Sequence, residues 1–310
     1  MVEAVDGLRS HVVTPELSFT GPGHDRAADR RTDDEWLRNA WASSSTRVLT
    51  VVGGAAEVRS EALAWRDPAS SAKEGERYLL GVDDEGCARF AVRLDDVPVD
   101  AEVRGLRQLA ASLPPAESGW ACHAVALSQW HAAHPHCSRC GARTVVTAGG
   151  SERRCPEDGS AHFPRVDPAV IMLVTDAQDR ALLGRHASWP VGRFSTLAGF
   201  VEPGETAEQA VCREVAEESG LAVTDVQLLG TQPWPFPSSL MIGASARVAG
   251  IVEPHPDGAE LVEARWFSRD GLRDAVASGE VQVSGAISIS RWLIDRWYGG
   301  ALPDDGAGWR

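Results

Sequence analysis

Three carboxylates stand out for their spacing: Glu214, Glu217 and Glu218 sit at i, i+3 and i+4. On a helix they share one side, and the flanking residues specify a helix. Thr206 and Gln209 have capping-box spacing, Ala210, Val211, Val215 and Ala216 form an apolar face, and Gly220 suits a left-handed stop. On a bare helix such like charges repel by roughly 0.2–0.5 kcal/mol per pair. A bound divalent cation reverses that sign, and hard oxygen ligands suit Mg²⁺ or Mn²⁺. Arg213, four residues before Glu217, is placed to orient a carboxylate by hydrogen bonds. An isolated acidic face is usually only solvated, so the metal reading depends on the pattern around it.

That pattern runs from Gly199 through five residues to Glu205, then through seven to Arg213-Glu214-Val215-Ala216-Glu217-Glu218-Ser219-Gly220-Leu221. It resembles the 23-residue signature of the Nudix hydrolases at every constrained position. The resemblance implies Glu214 and Glu218 as metal ligands, joined by the backbone carbonyl of Ala198 and by Glu260 from the Glu260-Leu261-Val262-Glu263-Ala264-Arg265-Trp266-Phe267 segment. It implies hydrolysis of a diphosphate linkage. Metal ions there neutralise phosphoryl charge and acidify a bound water, and a nearby carboxylate takes the proton. Glu217, Glu218 and Glu263 all remain candidates for that base.

Eleven residues after the box comes Gln232-Pro233-Trp234-Pro235-Phe236-Pro237-Ser238-Ser239. Three prolines in five residues exclude a helix or a central strand, so a stiff loop presenting Trp234 and Phe236 to a flat ring is expected. The element resembles SQPWPFPxS of the NADH pyrophosphatase subfamily, with Thr231 replacing the first serine. Further likenesses are Ala126-Leu127-Ser128-Gln129-Trp130-His131, Phe163 through Ile171, Leu197 through Glu202, and Ser288-Ile289-Ser290. Together they implicate Phe163, Phe200, the Gln232–Ser239 loop and Ser290 in binding substrate, with the two phenylalanines around nicotinamide and the pocket shared across a homodimer. The implied reaction converts NADH or NAD⁺ to the nicotinamide mononucleotide and AMP, and extends to removing an NAD cap from RNA. ADP-ribose hydrolysis is the alternative enzyme reading, which the proline-rich element disfavours. A non-catalytic nucleotide-binding module is disfavoured by the full set of box glutamates.

Cys137-Ser138-Arg139-Cys140-Gly141 is a zinc knuckle, with Cys155 following. The subfamily carries a second CxxC, but position 158 is Asp158. Structural zinc takes four ligands, so three arrangements compete: Asp158 as fourth ligand, which its position favours, His162 folding back, or no zinc. His131, His134 and His136 nearby read as ordinary hydrogen-bonded or surface histidines.

The elements that must position these groups follow from patterning. Residues 1 to about 45 read as polar and loop-like, with Gly21-Pro22-Gly23 a turn. Arg47–Val52, Tyr78–Val82 and Ala88–Val92 read as strands, the last two joined by Asp83-Asp84-Glu85-Gly86. Ala101–Leu113 and Ser118–Ala133 read as helices, and Ala169–Val174 as a buried strand. The expected class is α+β: a Nudix α/β/α sandwich at 167–300, a zinc-ribbon-like module at 126–166 and a β-rich domain at 1–125. No apolar stretch approaches a membrane span and Met1–Thr20 has no secretory pattern, so a cytoplasmic enzyme is expected. A net charge of −14 excludes a general nucleic-acid binder.

Overall fold

Asp33 opens the first helix by accepting a hydrogen bond from the Trp36 amide at 2.9 Å. Helix α1, Asp34–Ala42, follows in a computed structural model that describes residues 17–20, 24–71 and 75–303. It corrects the loop-like reading of this stretch. Trp36, Leu37, Ala40 and Trp41 recur at helical spacing and pack against Leu79, Phe90 and Val92, so acidic and basic neighbours masked an amphipathic face. The Gly21-Pro22-Gly23 turn lies outside the described residues.

The chain forms two compact units, residues 1–166 with 235–238, and residues 167–234 with 239–310. In the first, β1 (Arg47–Val52), β2 (Ala55–Arg59), β3 (Ala62–Leu63), β4 (Glu76–Val82), β5 (Ala88–Leu94) and β6 (Glu102–Gly105) make one sheet. Its order is β3-β2-β1-β5-β4, with β6 also on β2. The expected strands and the β4–β5 hairpin are present, and Gly86 closes the hairpin turn at φ 77°. The expected helix at Ala101–Leu113 is half right. Glu102–Gly105 pair with β2 instead, and helix α2, Leu106–Ser112, starts only after Gly105. Helix α3 then runs Pro115–Ala133, with proline at its first turn, where no amide hydrogen is needed. A small three-stranded sheet, β7 (Val145–Thr147), β8 (Glu152–Arg154) and β9 (Ala161–His162), completes the unit.

The second unit is built on β10 (Asp167–Thr175), β11 (Ala181–His186) and β12 (Leu197–Phe200), then helix α4 (Ala207–Ser219). Next come β13 (Val223–Trp234), β14 (Ser239–Val248), β15 (Leu261–Phe267), and helices α5 (Arg269–Ala277) and α6 (Ile289–Tyr298). The sheet order is β13-β14-β10-β11-β15, with β12 also on β10. The β10–β14 pair is parallel and its neighbours antiparallel. Period-two alternation puts Val170, Met172 and Val174 on one face of β10, where they share a core with Ala210, Val211 and Val215 of α4. Both valines of α4 are fully buried, which stabilises the docked helix by about 1.5–3 kcal/mol per side chain. The class is α+β, as the sequence indicates. Among the described residues no helix is long and apolar enough to cross a membrane.

Candidate metal and substrate site

Helix α4 is bounded as its sequence specifies. The Thr206 side chain accepts from the Gln209 amide, the Gln209 side chain accepts in return from Thr206 N–H, and Gly220 ends the helix at φ 69°. This fixes the rotation of α4 and sends Glu214 and Glu218 inward, at 8% and 6% exposure, while Glu217 stays outside. The inward pair lies against β12. A Cβ on Gly199 would coincide with the Glu214 carboxylate, which is why the pattern must open with glycine. The Ala198 amide donates to Glu218.

Arg213 gathers the remaining charges. It donates Nε–H to Glu205 Oε1 at 2.9 Å and two NH2 bonds, to Glu205 Oε2 at 2.9 Å and to Phe200 O at 2.8 Å. Its NH1 lies 2.8 Å from Glu214 and 2.9 Å from Glu217. These carboxylates, Glu205 foremost, push the Arg213 pKa up. Its expected orienting part is therefore what the geometry contains.

Glu218 is left uncompensated. Burial raises its pKa to about 8, helped by the charges of Glu214, Glu260 and Asp257, with the Ala198 amide opposing. Burial also raises Glu214, with Glu217 and Glu260 adding to the shift and Arg213 opposing it. Glu218 Oε2 is buried without a hydrogen-bond partner. A buried, partnerless carboxylate oxygen among other carboxylates is the donor set a hard divalent cation fits.

Asp257 was not singled out in the sequence. Its carboxylate accepts from the amides of Ala259 (3.2 Å), Glu260 (3.1 Å) and Leu261 (2.9 Å) and so shapes the loop carrying Glu260. The signal was present as Asp257-Gly258, a turn dipeptide just before a strand. Glu263 belongs to β15, where Arg185 holds it at 3.1 Å and Arg265 lies 3.8 Å away.

The proline-rich element is not all loop. Gln232, Pro233 and Trp234 finish β13 and Ser239 starts β14, with Pro233 opposite Leu240. Strand β13 lies at the sheet edge, where no neighbour on that side needs the missing amide hydrogen. Only Pro235–Ser238 form the turn, and they belong to the first unit. There the Arg107 guanidinium lies 4.1 Å from the Phe236 ring centroid and Phe19 packs at 6.5 Å. The Gln129 amide, in its hydrogen-bonding orientation, donates to Pro235 O at 3.0 Å and Pro237 O at 3.1 Å. Gln232 and Ser290 are buried at 0% and 1%, and their polar atoms are engaged inside the second unit. Phe163, in the first unit, and Phe200, in the second, are exposed.

The cysteine cluster is two matching turns. Gly141 N–H bonds Cys137 O at 2.9 Å at φ 79°, and Gly159 N–H bonds Cys155 O at 3.1 Å at φ 72°. Cys137-x-x-Cys140-Gly141 and Cys155-x-x-Asp158-Gly159 are thus equivalent, with Asp158 in the place of a cysteine. Ligand atoms of Cys137, Cys140, Cys155 and Asp158 all lie within 4.8 Å of one another. Asp158 Oδ1 accepts from the Ser160 amide at 2.9 Å, and Oδ2 lies 3.6 Å from Cys137 Sγ. His162 is the weaker candidate, since its ring contacts Ser160 Oγ at 3.2 Å. His131 is buried, between Gly150 O (2.8 Å) and Arg153 (2.9 Å) and stacked on Tyr78 at 4.2 Å. Arg153, 2% exposed, also reaches Glu76 at 3.1 Å.

Comparison with known proteins places this arrangement. The NUDIX domain family model matches residues 165–284, the NADH pyrophosphatase zinc ribbon domain matches 132–163, and the NADH pyrophosphatase-like rudimentary NUDIX domain matches 42–130. The NAD-capped RNA hydrolase NudC of Mycobacterium bovis is 39% identical over 295 residues, covering 89% of this chain and 92% of the relative. That of Mycobacterium tuberculosis is equally similar, 39% identical over the same 89% and 92%. The human NAD-capped RNA hydrolase NUDT12 is 42% identical over 193 residues, 58% of this chain and 42% of that protein. The chain belongs to the Nudix hydrolase family, in the subfamily of NADH pyrophosphatases and NAD-capped RNA hydrolases.

Proposed function

We propose that this chain is a divalent-metal-dependent pyrophosphatase that hydrolyses NADH and NAD⁺ to the nicotinamide mononucleotide and AMP, and removes the NAD cap from RNA. The observation that carries the metal dependence is Glu218 Oε2, buried and partnerless beside Glu214, Glu260 and Asp257. Glu214, Glu218, Glu260 and the Ala198 carbonyl are the groups we assign to Mg²⁺ or Mn²⁺. When bound, the metal supplies charge neutralisation at the diphosphate and a more acidic water. The chain's own residues do the rest. Arg213 holds Glu205, Glu214 and Glu217 in place, and one of Glu217, Glu218 and Glu263 takes up the proton of the attacking water.

The NAD assignment is supported by the names of the relatives and by the Gln232–Ser239 element. Exposed Phe163 and Phe200 offer flat apolar area for a nicotinamide ring. We also assign structural zinc to Cys137, Cys140, Cys155 and Asp158, and a homodimeric, cytoplasmic state.

The deciding experiment incubates purified protein with NADH in Mn²⁺, in Mg²⁺ and in EDTA, and separates the products. Reduced nicotinamide mononucleotide and AMP should appear only with metal, and nicotinamide mononucleotide and AMP from NAD⁺ likewise. ADP-ribose and NAD-capped RNA run in parallel. Cleavage of ADP-ribose without cleavage of NADH would return the chain to a generic Nudix activity.

A further inference from the structure

The resemblance implies Gln232 and Ser290 as substrate contacts, yet both turn their polar atoms into the second unit. Gln232 donates Nε2–H to Ile287 O at 2.8 Å and accepts Ile289 N–H at 2.8 Å. Both ends of the amide therefore hold the turn that begins α6. Ser288 caps that helix by accepting from the Ser290 amide at 3.1 Å. The Ser290 hydroxyl is the centre of a buried cluster. It lies 2.9 Å from Ser195 Oγ and 2.9 Å from Thr196 Oγ1, and accepts Thr196 N–H at 3.3 Å. Ser284 joins through Ser195 at 3.4 Å.

Thr196 stands two residues before Ala198, and β12 is the seat of both buried glutamates. Ala198 N–H bonds Glu218, and the Glu214 carboxylate fills the space that a side chain at Gly199 would need. Arg213 holds the other end of the strand through Phe200 O at 2.8 Å. The strand is thus held at both ends, by a guanidinium after the seat and by a hydroxyl cluster before it.

We infer that Ser290, acting through Thr196, is a positioning residue for the metal centre, and that Gln232 supports it by holding the start of α6. This rests on the metal assignment proposed above. A hydroxyl is what position 290 needs. An apolar side chain would take from Thr196 the buried partner of both its N–H and its hydroxyl. The start of β12, and with it the Ala198 carbonyl and the glutamate seat, would then shift. Groups that orient metal ligands typically change metal affinity by about 10–100-fold when removed.

The test measures Mn²⁺ binding without substrate, by the resonance signal of free Mn²⁺, together with KM for NADH and melting in EDTA. Ser290→Ala and Thr196→Val should each weaken Mn²⁺ binding at least about tenfold, with KM at saturating Mn²⁺ little changed. Thr196→Ser, which keeps the hydroxyl, should bind as the wild type does. Val125→Ala, a buried change in the first unit, serves as a destabilised control and should keep full Mn²⁺ affinity. If Ser290→Ala does not fold, the Thr196 pair carries the comparison. Unchanged Mn²⁺ affinity in Ser290→Ala and Thr196→Val overturns the inference, as does a raised KM with intact Mn²⁺ binding, which marks a substrate contact. An equal affinity loss in Val125→Ala overturns it too. A wild type that binds no Mn²⁺ overturns the metal assignment and this inference together, whereas unaffected variants of a Mn²⁺-binding wild type overturn only the inference.

Discussion

Glu218 is the residue on which most of the chemistry converges. Glu218→Gln keeps the shape and removes the charge, so it should leave the fold intact and lower kcat by at least about a hundredfold, the scale of a lost metal or base contribution. Near-normal, metal-dependent turnover would contradict the assignment. The same carboxyl should appear in the pH dependence of stability without metal. Its folded pKa is about 8 against an ordinary 4.5. Between those values the folded protein holds a proton that the unfolded chain has released, so this group's contribution to stability falls as pH rises through the window. Melting in EDTA from pH 5 to pH 8 should therefore rise for Glu218→Gln relative to wild type, with the gap widening toward pH 8. Parallel curves would show that the burial does not act on Glu218. Gly199 gives a second residue-scale prediction. Gly199→Ala sets a methyl group against the Glu214 carboxylate, and Mn²⁺-dependent activity should drop at least about tenfold, on the scale of displaced metal ligands, more than for Ala198→Gly.

At the scale of elements, the ribbon turns test whether a carboxylate replaces a thiolate. Purified protein should carry about one zinc per chain, and Asp158→Ala should lose it to a chelator that spares the wild type. Asp158→Cys should retain it and, with Co²⁺ in place of zinc, show stronger sulfur-to-metal absorption. Wild-type protein without zinc, melting identically with and without it, would mean a metal-free ribbon. The ribbon also shows what was legible beforehand. Cysteine spacing located the cluster, and the glycine after each turn is a backbone demand that only the φ values of Gly141 and Gly159 make explicit. Helix α4 was legible to its caps because each cap is a local interaction, between residues three apart at its start and four apart at its end. Helix α1 and strand β6 were not. Whether Trp36 and Trp41 face a core, or Glu102–Gly105 pair with β2, depends on partners far along the chain. The buried roles of Gln232, Ser290 and Arg153 were hidden for the same reason. A polar residue does not announce whether its partner is a substrate or a distant backbone.

At the scale of the whole molecule, charge decides how an RNA-linked substrate approaches. The chain carries 44 acidic and 30 basic side chains, a net charge of −14, while NAD⁺ and NAD-capped RNA present the same dinucleotide. Any difference between them therefore comes from the RNA tail and the field it crosses. An acidic protein repels a polyphosphate chain at long range, and salt removes that repulsion, since the screening length shrinks from about 30 Å at 0.01 M to about 8 Å at 0.15 M. For a protein that grips RNA through lysines and arginines the order is reversed, because affinity falls with salt as counterions are released. We predict that kcat/KM for NAD-capped RNA rises on going from about 0.02 M to about 0.15 M NaCl, while kcat/KM for NAD⁺ changes much less because its charge is small and compact. Steady-state assays on both substrates at fixed free Mn²⁺ make the comparison. A fall in the RNA value with salt would reveal a local basic track that outweighs the net charge. Charge-reversal of exposed arginines, beginning with Arg247 and Arg38, would then locate it, and the acidic surface would cease to account for any preference for the free dinucleotide.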